Sequence, residues 1–265
     1  MKAYFLSDVH LKSPDEPNSL VLLSVLRQMI ESAPTHLFLL GDIFDLWVGA
    51  HGYFADKFSE HIKLIKRVVA GGTRVIYFEG NHDFHLSTFW CDELGCEVCE
   101  GPKQFELGSC LVHAEHGDLI NTNDLAYQRY YRFSRHSYTK WALLNMPSSA
   151  IRLLGETFSK VSRRYSGPMR EEKQNDLRQM IRGHAKKIAE QTPFDLVVTG
   201  HMHVFDDYLF QVKSQIKSQN NAQYKTQNTA QSCRSVNLGS WLEQPVLLQL
   251  DYNKSSFSID IIYPK

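Results

Sequence analysis

This chain of 265 residues lacks a net charge, because 29 Lys and Arg balance 29 Asp and Glu. Overall charge therefore gives no pull toward nucleic acid or an anionic membrane, and either partner would need a local patch. A disulfide framework is also missing. The five cysteines (Cys91, Cys96, Cys99, Cys110 and Cys233) are an odd number in a chain too large to need covalent staples. Three of them follow the C-x4-C-x2-C spacing of some iron–sulfur proteins, yet no fourth ligand stands at a matching distance. The segment "CDELGCEVCE" reads instead as a helix end running into a strand, with ordinary thiols. No apolar run reaches the roughly 18 residues of a membrane span. The opening "MKAYFLSDVH" meets charged residues too early for a signal peptide. The cytoplasm is the expected compartment. Neither a G-x-S-x-G elbow nor a phosphate-binding P-loop is present, so nothing points to a serine nucleophile or a nucleotide cradle.

Hydrophobic residues make up 43% of the chain, enough for a substantial core. Short apolar runs recur and end in polar clusters: "AYFL" before Ser7, "HLFLL" before Gly41, "RVIYF" before Gly80, "CLVHAEHGD" around His116, and "FDLVVTG" before His201. Runs of four to eight such residues predict buried strands. Between them, "NSLVLLSVLRQMIESA" predicts a helix capped by Asn18 or Ser19, and "FADKFSEHIKLIKRVVAGG" one ending at Gly71 and Gly72. Strands alternating with helices predict an α/β layered fold. One domain over 1–265 is expected. Residues 125–190 form a helical insert in this reading, and the Gln- and Asn-rich stretch 213–232 a long polar hairpin or loop. The tail predicts two closing strands with a turn at Asn253 and Lys254.

In layered α/β sheets, ligands collect beyond the carboxyl ends of the strands. Every polar cluster sits there. Asp8 and His10 stand two apart at a strand end, a spacing that would turn both to one side. Asp42, Asn81, His116, His201 and His203 follow later strands. Carboxylate, imidazole and amide donors without thiolate suit Mn²⁺, Fe²⁺ or Zn²⁺ in a working site better than a structural cysteine-type zinc site. A lone Asp-x-His or His-x-His is ordinarily a loop. Five such clusters together predict a metal site.

The blocks "SDVHL", "GDIFD", "GNHD", "HGD" and "GHMH" resemble, in order, the five signature blocks of the calcineurin-like metallophosphoesterases. That resemblance implies two stacked mixed β-sheets flanked by helices and two divalent metal ions, with Mn²⁺ the first expectation. Asp8, His10 and His203 would hold one ion, Asn81, His116 and His201 the other, and Asp42 would bridge them. Such a pair clamps a phosphoryl group and lowers the pKa of a shared water. His82 would stand beside the scissile phosphate, and Asp42, His116 and His82 would carry the catalysis. All seven ligand positions are filled, which argues against a scaffold that has lost its chemistry.

After the fourth block, "HGDLINTNDLAYQRYYRFSR" resembles the UDP-2,3-diacylglucosamine pyrophosphatases of lipid A biosynthesis, and "GDIFDLWVG", with Trp47, resembles their second block. This implies cleavage at the α-phosphorus of a UDP-linked lipid, with the insert as a lid over acyl chains. Trp47, Asn81, Asp124, Tyr127 and His201 would face the substrate, and Arg163, Arg164 and Lys173 are candidates for the diphosphate. The insert supports a lipid partner independently. Between Arg129 and Lys187 it carries 14 Lys and Arg against four Asp and Glu, interleaved with Tyr130, Tyr131, Phe133 and Trp141. Basic, aromatic-rich helices suit an anionic membrane surface, here the inner membrane, and nucleic acid as a weaker second. A solvated helix face over an ordinary core explains many of the same residues. The chain departs from the pyrophosphatases at the third block, where they read G-N-R-D and this chain reads Gly80-Asn81-His82-Asp83. Histidine cannot reproduce arginine's bidentate fork on phosphate. A phosphodiesterase acting on another nucleotide or a phospholipid-type ester is therefore the alternative.

Overall fold

The computed structural model describes residues 1–147, 149–153, 171–217 and 226–265. Two sheets form its centre. The first has six strands: β1 (Lys2–Leu6), β2 (His36–Leu39), β4 (Arg74–Phe78), β6 (Glu97–Cys99), β12 (Leu247–Tyr252) and β13 (Phe257–Ile262). Their order is β13-β12-β1-β2-β4-β6, with β1, β2, β4 and β6 parallel and β12 antiparallel to both of its neighbours, β1 and β13. The second has five strands: β7 (Lys103–Leu107), β8 (Cys110–Ala114), β9 (Leu196–Thr199), β10 (Phe205–Lys217) and β11 (Thr226–Leu238). Their order is β10-β11-β9-β8-β7, and β8, β9 and β11 run parallel. A short parallel pair, β3 (Trp47–Val48) with β5 (Asp83–Phe84), joins two of the loops.

Side-chain alternation explains the layering. Ala3, Phe5, Phe38, Leu40, Ile76 and Phe78 point into a core shared with Val112, Ala114, Leu196, Val198, Val236 and Leu238 of the second sheet. Leu6, Leu37, Leu39, Val75 and Tyr77 point the other way, onto α1 (Pro17–Ser32) and α3 (Ser59–Ala70). Strands buried on both faces read as unbroken apolar runs, which is how they look in the sequence. The second sheet is covered on its outer face by the helix Glu171–Gln191, through Ala185 against Phe194, Val197, Phe210 and Cys233. The result is two stacked mixed sheets with helices outside.

Two expected helix boundaries change. Pro17 takes the first turn of α1 and Glu16 the cap position, so Asn18 and Ser19 lie inside the helix; proline suits that turn because its missing N–H would go unpaired anyway. The next helical segment breaks at Phe58 into α2 (Gly52–Lys57) and α3, which ends at Gly71 as expected. Asn253 and Lys254 do turn between β12 and β13. A four-residue helix, α4 (Ser87–Trp90), precedes the Cys96–Cys99 segment, and all five cysteines are free. Among its described residues, the stretch 125–190 includes α5 (Leu125–Ser134), α6 (Ser137–Leu144) and most of α7 (Glu171–Gln191). Arg163 and Arg164 lie outside the described residues. The arms of the polar stretch 213–232 belong to the β10–β11 hairpin, and 218–225 lie outside the described residues. No helix among the described residues is long and apolar enough to cross a membrane.

His61 gives the α1–α3 contact a pH dependence. It is fully buried, and its Nε2 lies 3.0 Å from the Ser19 hydroxyl, which donates to the Pro14 carbonyl at 2.6 Å. Nε2–H is therefore the donor, and Nδ1 has no partner. Burial pushes the imidazole below its ordinary 6.5. The unfolded chain then binds the proton more readily, so stability rises with pH and is lost as pH falls below 6.5. Thermal melts of the metal-free protein should show a lower midpoint at mildly acidic pH than at neutral pH. His61→Gln, which keeps a donor without titrating, should narrow the difference, and an unchanged gap would remove His61 as its source.

Candidate metal centre

Five parallel strands from both sheets end at the same edge, and each carries its polar loop there. β1 leads to Asp8 and His10, β2 to Asp42, β4 to Asn81, β8 to His116, and β9 to His201 and His203. The expectation that strand alternation would align Asp8 with His10 is corrected. β1 ends at Leu6, and both residues lie beyond it in left-handed backbone, each with φ 53°. Asp42, His201 and His203 share this conformation, with φ of 54°, 64° and 54°. Left-handed backbone in non-glycine residues typically costs ~1–3 kcal/mol and collects at functional sites. Two glycines permit the close approach of these loops. A Cβ on Gly41, which has φ 83°, would stand 2.5 Å from His116 Nδ1, and one on Gly80 would stand 2.2 Å from Asp42 Oδ1.

The side chains form two adjoining groups. In one, Asp8, His10, Asp42 and His203 bring their donor atoms within 4.8 Å of one another. His10 Nε2 and His203 Nε2 are 3.0 Å apart, His203 Nε2 is 3.3 Å from Asp8 Oδ1, and His10 Nε2 is 3.9 Å from Asp42 Oδ2. In the other, Asp42, His116 and His201 meet in the same way. Asn81 Oδ1 lies 3.2 Å from His116 Nε2 and 2.8 Å from His201 Nδ1, and Asp42 Oδ2 lies 3.6 Å from His116 Nε2. Asp42 thus belongs to both groups. His116 Nδ1 donates to the Leu40 carbonyl at 2.7 Å, which fixes the tautomer and turns Nε2 inward.

The electrostatics fit a cation. Asp8 Oδ1 is buried with no hydrogen-bond partner. Burial works against ionisation of Asp8 and Asp42, yet surrounding imidazoles outweigh it and hold both carboxyls below the ordinary range. Burial presses His10 down to about 3 and His201 down to about 4, so both are neutral lone-pair donors at neutral pH. At His116 burial is outweighed by Asp42, Asp118 and Asp8, and the ring is pushed up to about 9. That field draws a positive charge, proton or metal ion.

His82 enters from the side. Its backbone N–H donates to Asp42 Oδ1 at 2.9 Å, its Nδ1 donates to the Asp45 carbonyl at 2.8 Å, and its ring meets His10 edge-on at 5.0 Å. Asp45, His82 and His10 form a third convergent group, and Asp45 was not singled out from the sequence although it is the second carboxylate of "GDIFD". Asp83 was missed as well. Its buried carboxylate accepts from the backbone N–H of Asp42, Ile43, Phe44 and Gly80 and from Tyr77 Oη. Burial, with Asp42 nearby, pushes it up to about 7.

The other expected contacts divide. Tyr127 is half-buried, donates to Asp118 Oδ2 at 2.6 Å, and lies 5.5 Å from the His201 ring. Asp124 caps α5 by accepting from the Tyr127 N–H at 2.8 Å and is exposed. Lys173 is exposed in the first turn of α7. Trp47 is corrected. It is completely buried among Phe44, Phe54, Phe89 and Trp90, and its Nε1 donates to the Gly49 carbonyl, so it supports the loop from the core and cannot reach substrate.

Stacked mixed sheets that carry a cation-seeking cluster of carboxylates, imidazoles and an amide at one edge define a metal-dependent phosphoester hydrolase. The chain belongs to the calcineurin-like phosphoesterase family, whose model matches residues 1–205. That family uses a dinuclear metal centre. Among its relatives, a UDP-2,3-diacylglucosamine hydrolase of Pseudomonas aeruginosa is 28% identical over 258 residues, covering 96% of each chain. One of the same name from Azotobacter vinelandii is 27% identical over 275 residues, covering 98% of this chain and all of that one. A solved dimetal phosphatase from Danio rerio superposes over the whole of this chain and 99% of its own, at 10% identity and a TM-score of 0.46.

Proposed function

We propose that this protein hydrolyses UDP-2,3-diacylglucosamine at its pyrophosphate, releasing UMP and 2,3-diacylglucosamine 1-phosphate. The observation that carries the reading is the convergence of seven oxygen and nitrogen donors on one buried edge, in a chain similar over nearly its whole length to hydrolases of that name. Asp8, His10 and His203 would hold one divalent ion and Asn81, His116 and His201 the other, with Asp42 shared. Mn²⁺ fits these donors, as do Fe²⁺ and Zn²⁺. When bound, two such ions supply an acidified water and offset the charge of the phosphoryl group.

The chain's own residues do the rest. His82 donates through Nδ1 to the Asp45 carbonyl, which fixes the ring and leaves Nε2 as its second proton-carrying nitrogen. In its protonated form Nε2 can pass a proton to the departing phosphate oxygen. Tyr127 and Asp124 would line the sugar side, with Lys173 reaching toward the diphosphate. The α5–α6 segment would cover the acyl chains and rest on the inner face of the membrane. Leu125, Phe133, Tyr138 and Trp141 leave over half of their surface in solvent there, alongside Arg129, Arg132 and Lys140. Exposed aromatics beside cations favour the interface of an anionic bilayer.

His82, where the diacylglucosamine pyrophosphatases carry arginine, favours a second reading. The site would then act on another phosphodiester, a nucleotide or a phospholipid headgroup. Incubation with Mn²⁺ and either UDP-2,3-diacylglucosamine or an aryl phosphodiester separates the two. UMP release from the lipid, faster than cleavage of the aryl ester, is expected. Aryl cleavage without UMP release would establish the second reading.

A further inference from the structure

The loop Glu79–Leu86 is held from two sides. On the core side Asp83 gathers the surrounding N–H groups, and Glu79 accepts from the Leu86 N–H at 2.8 Å. On the other side the contacts come from α5 and its cap. Arg135 Nη2 donates to the Gly80 carbonyl at 3.1 Å, Tyr130 Oη donates to the Asn81 carbonyl at 3.3 Å, and His85 Nε2 donates to the Ser134 carbonyl at 2.9 Å. The first two bonds grip the carbonyls of the two peptides on either side of the Asn81 Cα, and so set where the Asn81 amide points. The guanidinium also stacks on the Tyr131 ring, 4.0 Å from its centroid, so the fork is held in one plane. Yet Arg135 Nε and Nη1 are buried with no hydrogen-bond partner. Buried donors left unpaired carry a desolvation penalty. An apolar side chain would avoid that penalty; what the guanidinium supplies here is the Nη2 bond to the Gly80 carbonyl, beside a positive charge near the Glu79 carboxyl.

We propose that Arg135 is a positioning residue for the second metal subsite. Through the Gly80 carbonyl, with Tyr130 on the Asn81 carbonyl, it aims Asn81 Oδ1 at the space shared with His116 Nε2 and His201 Nδ1. Among the described residues no such bond joins α5 to Asp8, His10 or His203, so the effect falls chiefly on the second ion, and the first is reached only through the His82 N–H on the shared Asp42. This rests on the two-metal reading above. Partners that orient a metal ligand are typically worth about 10–100-fold in metal affinity. The arrangement also makes the insert a lever. A ligand that fixes α5 would tighten the second ion, and the second ion would tighten that ligand by the same factor.

The test is Mn²⁺ titration of the metal-free full-length protein by calorimetry, with the spin-coupled EPR signal of paired ions as a second readout. The wild type should bind two ions per chain. Arg135→Ala should weaken one class of site about 10–100-fold, leave the other within about twofold, and lose the coupled signal at Mn²⁺ levels that fill the wild type. Tyr130→Phe, which removes a single hydroxyl, should do the same to a smaller extent with an unchanged melting temperature. Retention of both affinities in both variants would overturn the proposal. Equal weakening of both classes in both variants, tracking a fall in melting temperature, would overturn it too, because that is general loosening. A wild type that binds only one ion would instead overturn the two-metal reading, independently of Arg135.

Discussion

Asp42→Asn should lower kcat by at least ~10³-fold, because the bridging role proposed for this carboxylate and its charge would be worth several kcal/mol, and each 1.36 kcal/mol is tenfold. Asparagine isolates the charge. It tolerates the left-handed backbone of position 42, where φ is 54°, and keeps an oxygen for the His82 N–H now bonded to Oδ1 at 2.9 Å. What it removes is the anionic Oδ2 that lies 3.9 Å from His10 Nε2 and 3.6 Å from His116 Nε2, the one carboxylate common to both ligand groups. The metal-free variant should melt close to the wild type while its Mn²⁺ content falls. Steady-state kinetics with metal analysis checks this. A variant that keeps wild-type turnover would rule out a bridging role for Asp42.

The largest stability effect is expected at Asp83. Asp83→Ala leaves the N–H groups of Asp42, Ile43 and Phe44 and the Tyr77 hydroxyl without their shared acceptor, while the Gly80 N–H keeps the main-chain carbonyl of residue 83 at 3.0 Å. Unpaired buried donors cost about 1–3 kcal/mol each before relaxation, so a loss of roughly 3–5 kcal/mol is expected for the cluster. In a chain of this size that is about 10 °C in melting temperature. Asp83→Asn should lie between the two, since one carboxylate oxygen survives. The damage should extend to metal binding, because these N–H groups belong to the loop that carries Asp42, and Asp83 to the loop that carries Asn81. Denaturant melts would settle the size. A change under about 0.5 kcal/mol, as for an ordinary surface substitution, would mean that the donors find other partners.

The strands were legible because burial on both faces writes itself as continuous Val, Leu and Phe, and their parallel order made one loop-bearing edge predictable. The residues that converge at that edge were legible as a set for the same reason. How Asp8 and His10 meet was not. Alternation along a strand suggested a shared side, whereas two left-handed residues beyond the strand bring them together, and no spacing rule encodes that. Trp47 was misjudged because an aromatic beside a motif looks exposed to ligand in one dimension; only packing against Phe44 and Trp90 reveals a core residue. Asp83 was passed over, because its task of gathering N–H groups depends on two loops about 40 residues apart in sequence. Tyr130 and Arg135 gave no signal beyond a basic, aromatic helix, since their partners are main-chain carbonyls some 50 residues away.

The reaction proposed for this protein is hydrolysis at the α-phosphorus of a UDP-linked lipid by water activated at this edge. Turnover of UDP-2,3-diacylglucosamine with Mn²⁺ in ¹⁸O-labelled water, followed by mass spectrometry of both products, tests it most directly. UMP carrying a single ¹⁸O and an unlabelled sugar 1-phosphate are expected. Label in the sugar phosphate, or no UMP at all, would contradict it.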